Sequence, residues 1–382
     1  MTCSASPMQA LSVFSGIGGL DLAFALAGIE TVGQVENDAW CTTILERHWP
    51  EVPKLGDVRE VHAATLGRRS RDVARAARRP DPQRPRHALP GRSNPLGIDL
   101  VYGGFPCQDV SVAGKRAGLS GERSGLWFEF KRLVSEVRPR WVVVENVPGL
   151  LSSNKGEDFA VVIGGLVELG YGVCWRTLDA RYFGVPQRRR RVLIVGCLGN
   201  APRAAQVLAV CPRCEGDPAP RRGAQEGSAT ALDGRADGAG SQLTAFGGNN
   251  TSGPIDVASG RSTRNNRFDF ETDTFLVADP ISASEGRTYT HEGAHNFRLH
   301  NVVDGVRRLT PLEAERLQGF PDGWTLRSAN DKPVPDAQRY KVLGNAVATV
   351  VAQWLGHRLV AVNAQMDAVE AQAAADVEEI LS

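Results

Sequence analysis

Net charge is nearly missing from this sequence: 44 Lys and Arg stand against 43 Asp and Glu, leaving +1. Such a balance excludes binding of nucleic acid or anionic membrane by overall charge and leaves only local patches for that work. Long uninterrupted apolar runs are also missing. The most apolar window, "FAVVIGGLVELGYGVCW" (159–175), is broken by Glu168 and rich in glycine. It reads as a helix and a strand of a soluble protein, and no membrane partner is expected. The opening "MTCSASPMQALSVFSGIGG" has no basic segment before an apolar run, which predicts no secretory signal. Paired cysteine spacing is lacking as well: seven cysteines, an odd number, fall irregularly along a chain too large to need staples. A reduced, cytoplasmic setting is therefore expected. What is present, 42% hydrophobic and 23% charged residues over 382 positions, suits a globular chain with a substantial core. That length permits two domains or one large α/β domain.

Apolar strand-like runs and helix-spaced segments alternate from the start. An apolar run over 10–15 leads into "LDLAFALAG", then come "ETVGQVE" (strand) and "DAWCTTILERHW" (helix). Further on stand "IDLVYGG" (strand), "GLWFEFKRLVSEVRP" (helix), "WVVVENV" (strand), "FAVVIGGLVELG" (helix) and "RRVLIVGCL" (strand). This pitch predicts βαβ units, hence an α/β fold with a doubly wound, mostly parallel sheet covered on both faces.

Two stretches break the pattern. Residues 66–97 hold nine arginines against two aspartates, with several prolines, and read as a solvated insertion or an arm for nucleic-acid phosphates. Residues 198–306, with runs such as "GGNNTSGPIDVASGRSTRNNR", lack helical periodicity and suit short strands, turns and loops. Helical patterning returns at "TPLEAERLQGF" and from about Lys341, where one long Ala/Val-rich helix is expected to pack back on the sheet.

The polar residues that carry chemistry sit where this alternation changes. "FSGIGGLDLAF" is a glycine-rich turn between the first strand and a helix, which lets backbone approach a ligand closely. Glu36 ends the next strand, 17 residues past Gly19, where a carboxylate can accept bonds from ribose hydroxyls; Asp57 follows in "KLGDVRE". Capping is the ordinary alternative for both acids. "GGFPCQDVSVAG" (103–114) puts Cys107 behind a proline in a glycine-flanked turn. A thiol there serves as a nucleophile only as thiolate, and a small buried apolar cysteine is the commoner fate. "VVVENVPGL" leaves Glu145 and Asn146 at the end of a very apolar strand, where partial desolvation favours sharing or donating a proton. "VPQRRRRVLIVG" precedes a buried strand with four arginines, and alternation sends Arg189 and Arg191 to one face, Arg188 and Arg190 to the other.

In this order the segments resemble the cytosine-5 DNA methyltransferase family of bacterial or phage type. "FSGIGG" is similar to its first motif, "PCQ" (106–108) to its nucleophile motif and "ENV" (145–147) to its base-contacting motif. "QRRRR" fits its Gln-x-Arg-x-Arg through Gln187, Arg189 and Arg191, while 307–324 and "YKVLGNAV" (340–347) resemble its ninth and tenth motifs. The likeness spans 10–196 and 307–356. One departure is Ser12, where the family often has Asp.

The resemblance implies an S-adenosylmethionine-dependent methyltransferase fold and an enzyme that transfers a methyl group to carbon 5 of a flipped-out cytosine in a specific duplex DNA sequence. It implies Cys107, Glu145, Arg189 and Arg191 as catalytic, with Arg191 on the cytosine carbonyl and Arg189 in support. Cofactor contacts fall on Phe14, Ser15, Gly16, Gly18, Gly19, Leu20, Glu36, Asn37, Asp57, Val58, Asn345 and Val347. DNA contacts fall on Gln108, Ser111 and Gln187, and Gly103 and Gly104 read as room for the flipped base. The domains expected are a catalytic and cofactor-binding domain at 1–197 with the insertion 66–97, a target-recognition domain at 198–338, and a C-terminal helix at 339–382 that returns to the catalytic domain. Double-stranded DNA is the expected partner of a monomeric cytoplasmic protein, with a cognate restriction endonuclease as a further candidate. No metal is expected: "CPRC" pairs Cys211 with Cys214 at ligand spacing, but it is a single half-site. Two rivals keep the fold, an RNA cytosine-5 methyltransferase and a non-catalytic DNA-binding relative. The length of 198–306 favours DNA over RNA, and the intact Cys107, Glu145, Arg189 and Arg191 disfavour the second.

Overall fold

The structure is a computed structural model. It describes residues 7–66, 96–106, 125–209 and 309–381, together with the strand segments 244–247, 255–256, 274–277, 299–301 and 305–307. The chain divides into two units: one of 1–178, 190–209 and 352–382, the other of 179–189 and 210–351.

A six-stranded sheet organises the first unit: β1 (Gln9–Val13), β2 (Glu30–Val35), β3 (Leu100–Gly103), β4 (Trp141–Asn146), β5 (Tyr171–Asp179) and β6 (Arg190–Leu198). Its order is β2-β1-β3-β4-β6-β5. β1 is parallel to β2 and β3, and β3 is parallel to β4. β6, by contrast, is antiparallel to β4, with Glu145 opposite Leu193 and Asn146 opposite Val192. The expected α/β, mostly parallel sheet is present, with this strand reversed.

The helices follow the apolar spacing. α1 (Gly19–Leu26), α2 (Ala39–His48), α3 (Leu126–Val137), α4 (Glu157–Glu168) and α5 (Ala201–Leu208) alternate with the strands. In α3 the buried set is Trp127, Phe130, Leu133, Val134 and Val137, an i, i+3, i+7 stripe facing the sheet. Asp38 caps α2 by accepting from the amides of Trp40 and Cys41. Trp127, Phe130, Val142, Val144 and Ile194 share one core with Leu11, Val13 and Val101. Each such side chain contributes about 1.5–3 kcal/mol when fully buried.

Instead of one helix from about Lys341, the end of the chain forms two, α7 (Asp336–Asn345) and α8 (Thr349–Leu381). The break comes at Ala346, where the backbone is extended (φ −70°, ψ 157°). Beyond 352, α8 packs on the sheet unit. Gly356 lies so close to α1 that a Cβ there would come within 2.8 Å of Ala27 Cβ. Arg140, ahead of β4, is bound by Asn363 (3.1 Å), Glu370 (2.9 Å) and Asp367. Arg358 donates to the carbonyls of Val207 (2.7 Å) and Gln206 (2.6 Å). No helix among the described residues is long and apolar enough to cross a membrane.

Among its described residues the second unit holds five short strands, β7–β11, between 244 and 307, as the turn-rich composition predicts. It also holds α6 (Pro311–Leu317), started by a capping box between Thr310 and Glu313. Glu315 of α6 has no exposed surface and forms an ion pair with Arg339 at 3.0 Å. It also accepts from the amides of Gly323 (2.7 Å) and Thr325 (2.8 Å). Removing the arginine leaves a buried, unpaired carboxylate. Arg339→Met is therefore expected to destabilise this unit by about 3–5 kcal/mol, read as a lower thermal midpoint, and adding Glu315→Gln should recover part of the loss.

Candidate active site

Two clusters of polar residues lie at the carboxyl ends of the parallel strands. The first surrounds the turn after β1. Phe14 (φ 56°) and Gly16 (φ 56°) lie in the left-handed region, which costs the phenylalanine about 1–3 kcal/mol. The turn is held by Ser15 N donating to Val35 O (3.1 Å) and by Gly18 N donating to Ser15 O (2.9 Å). Gly18 is required: it has φ 81°, and a Cβ there would come within 2.4 Å of the Trp49 ring. It leads directly into Gly19 and Leu20 of α1, whose N-terminus has no side-chain cap.

Glu36, just past β2, grips this turn. One carboxylate oxygen accepts from Gly16 N and the other from Asp38 N, both at 2.8 Å. Burial holds its carboxyl above the ordinary value, with the amides of Asp38 and Gly16 pulling the other way. Asn37 beside it is exposed. Residues 53–55 run alongside β2 through Gln34 N to Pro53 O (2.9 Å) and Leu55 N to Gln34 O (2.8 Å). They carry the chain toward Asp57 and the buried Val58. Asp57 caps a 3-10 turn, accepting from Arg59 N at 2.9 Å. Gly16 faces open space, since a Cβ there would meet nothing within 4 Å. Open backbone at a helix start beside a half-buried carboxylate fits an adenosine-type cofactor, its ribose hydroxyls on Glu36 and its charged end near the turn.

Beneath the turn lies a buried network that the motifs do not include. Asp21 on α1 accepts from Ser12 Oγ (3.0 Å) and Gln34 Nε2 (2.8 Å). Ser12, the departure from the family pattern, is thus satisfied by an acid nine residues further along, in the first turn of α1. Its sequence signal was an Asp on the apolar face of an otherwise hydrophobic helix.

The second cluster surrounds Glu145. Its Oε1 forms an ion pair with Arg191 Nε at 2.7 Å, both side chains being largely buried. Asn146 Nδ2 donates to Phe105 O (3.4 Å), tying β4 to the segment that enters Pro106. Gly103 and Gly104, expected to leave room for a base, are instead filled by the protein. A Cβ on Gly103 would lie 1.9 Å from Val13 O, and one on Gly104 would lie 2.8 Å from Glu145 Oε2. These glycines let β3 approach β1 and let the Glu145 carboxylate lie over the backbone.

Arg188 and Arg190 are exposed while Arg189 and Arg191 are not, but Arg189 lies ahead of β6, so the expected single face for Arg189 and Arg191 is not formed. Arg189 belongs to the second unit, where it donates to Gly344 O (3.0 Å) and Ala346 O. Gln187, expected to contact DNA, has no exposed surface. Asn345, exposed, and Val347, buried, lie in the second unit at the α7–α8 turn. Cys107, Gln108 and Ser111 lie outside the described residues, as do Cys211, Cys214 and most of the 66–97 insertion.

A glycine turn, an acid closing β2 and a carboxylate–arginine pair thus stand at strand ends of one α/β sheet, an arrangement that suits a ligand site. The chain belongs to the C-5 cytosine-specific DNA methylase family, whose model matches residues 8–209 and 245–361. Its cofactor is the methyl donor of that family, S-adenosylmethionine. The chain is 29% identical over 357 residues to type II methyltransferase M2.BsuMI of Bacillus subtilis (strain 168), covering 92% of this chain and 75% of that protein. Over 195 residues it is 36% identical to type II methyltransferase M.AquIA of Picosynechococcus, covering 49% of this chain and 70% of that one. In fold it is similar to the S. pombe Dnmt2 methyltransferase (TM-score 0.56, 17% identity), covering 93% of this chain and 99% of that structure.

Two predictions follow from the packing of this region. Burial raises Asp21 to about 6 from 3.8, opposed by the bonds from Gln34 and Ser12. The folded state thus holds this proton more tightly than the unfolded state. Asp21 therefore costs stability above pH 6, and the cost is relieved as pH falls from about 6 to 4. Asp21→Asn, which can keep both bonds, should be more stable than wild type at pH 7 by about 1–3 kcal/mol and level with it near pH 4. Denaturant titrations across that range check this. Gly104→Ala should push Glu145 out of place and cut methyl transfer at least about tenfold, with cofactor affinity within about twofold of wild type, as steady-state kinetics and calorimetry would read.

Proposed function

We propose that the protein is a DNA (cytosine-5-)-methyltransferase that modifies one cytosine within a specific duplex sequence. What supports the reading most is the Glu145–Arg191 pair at the carboxyl end of β4, beside the strand that runs into Pro106 and Cys107. A lone buried ion pair is poor stabilisation, because desolvating both charges offsets their attraction. It is well suited to a planar substrate that has both an acceptor and donors.

The target cytosine leaves the stack, because its ring atoms are out of reach inside the duplex. The Cys107 thiolate bonds to ring carbon 6. Glu145 holds ring nitrogen 3 and the exocyclic amine, offsetting the charge that builds as aromaticity is lost. Arg191, already oriented by Glu145, takes the cytosine carbonyl oxygen. Bound S-adenosylmethionine supplies the electrophilic methyl group for carbon 5. Loss of the carbon-5 proton then expels the Cys107 sulfur and restores the ring. Glu36 and the 14–20 turn hold the cofactor, joined by Asn37, Asp57, Val58, Asn345 and Val347. Gln108 and Ser111 contact the DNA backbone, and 198–338 carries the target-recognition residues. The enzyme works as a cytoplasmic monomer, in the type of modification system named for its relatives.

Cys107→Ala should abolish transfer of labelled methyl groups to DNA while binding of S-adenosylmethionine persists. Bisulfite sequencing of DNA from cells expressing wild type should show protected cytosines at one recurring sequence, and none with the variant. Methylation by Cys107→Ala at the wild-type rate would remove covalent catalysis from the mechanism.

A further inference from the structure

We propose that Arg189 is a positioning residue for the cofactor, tying down the α7–α8 turn that carries Asn345 and Val347, and that it does not touch the target base. The proposal rests on the function above in taking that turn to meet S-adenosylmethionine.

The geometry is local to the second unit. Arg189 is 1% exposed, and its Nη2 donates to Gly344 O at 3.0 Å and to Ala346 O. These carbonyls flank Asn345 at the end of α7, where helical carbonyls lose their intrahelical partners and the helix dipole attracts a cation. Gln318, also without exposed surface, donates through Nε2 to the next carbonyl back, Leu343 O, at 2.6 Å. The far side of the turn is held by Thr349, whose amide donates to Gln318 O (2.9 Å) and whose hydroxyl donates to Gly319 O (2.7 Å). Gly319 has φ 76°, and a Cβ there would come within 2.6 Å of Thr349 Oγ1. The carbonyls of 343, 344 and 346 are therefore all engaged by buried side chains, while Asn345 between them is exposed.

Arg189 itself is held in place at its backbone. Its amide donates to Asp179 Oδ1 (3.1 Å), and its carbonyl accepts from Ala180 N (3.0 Å). It precedes β6, which starts at Arg190, so the strand's alternation does not govern its direction. Arg191, inside the strand, goes to Glu145. The two arginines of the Gln-x-Arg-x-Arg segment thus divide their work: one serves the base, the other the cofactor turn.

The test uses full-length protein with Arg189→Lys, which keeps the charge but loses the planar guanidinium, and Gln318→Met, which removes the side-chain bond to Leu343 O and leaves that carbonyl only the Ala346 amide. Binding of S-adenosylmethionine is measured by calorimetry without DNA, and KM and kcat with DNA. The cofactor Kd should rise about tenfold in Arg189→Lys, the scale of one charge-assisted hydrogen bond lost at the turn, and about threefold in Gln318→Met, the scale of a neutral one. KM for the cofactor should rise by more than kcat at saturating cofactor falls. An unchanged cofactor Kd in either folded variant overturns the proposal, as does a fall confined to kcat. Should Arg189→Lys fail to fold, Gln318→Met decides alone. Wild type that binds S-adenosylmethionine but methylates no DNA would defeat the proposed function and leave the Kd comparison standing; wild type that binds none would defeat both.

Discussion

β6 runs antiparallel to β4, so the start of one strand lies beside the end of the other, with Asn146 opposite Val192 and Glu145 opposite Leu193. A parallel β6 would begin at the opposite edge of the sheet, far from Glu145. Because it is reversed, an arginine at its second position reaches the carboxylate at the end of β4. Both charges are largely buried, and each makes the other tolerable. The candidate chemistry depends on this pairing, and the tight contact of Gly104 with Glu145 confines the carboxylate from the other side.

The proposed cofactor side depends on a different device, a strained turn over a buried acid. Phe14 and Gly16 adopt left-handed backbone, and Glu36 accepts a bond from the Gly16 amide. Under the turn Asp21 bonds Ser12 and Gln34, connecting α1, β1 and β2 in one buried network. Rigidity here comes at the expense of stability, since an ionised carboxylate without exposed surface lowers the folding free energy at neutral pH. Such a trade is common where a backbone must be held ready for a ligand.

Much of this was legible in advance. The periodicities of "LSVF", "LVYG", "WVVVEN" and "RRVLIVGCL" mark their strands because burial on both faces demands apolar runs. α2 and α3 can be read from 3.6-residue spacing. Other features were not legible. Ser12 looked like a missing acid, although Asp21 supplies one across the β1–α1 turn. Gly103 and Gly104 looked like space for a base, although backbone and a carboxylate fill it. The end of the chain looked like one helix from about Lys341, because the break at Ala346 contains no proline and its glycine precedes it.

The amino-acid order alone names the residues proposed to carry the chemistry: a glycine turn, closing acids, Pro-Cys-Gln, Glu-Asn-Val and the arginine run. That much is local, since hydrophobic period and turn chemistry act over a few residues. Only the tertiary structure decides how the arginines are used. Arg189 and Arg191 are two residues apart and chemically identical, yet one serves the carbonyls of the α7–α8 turn and the other Glu145. Strand direction and the point at which β6 begins set that division, and both arise from long-range pairing that no short stretch of sequence encodes.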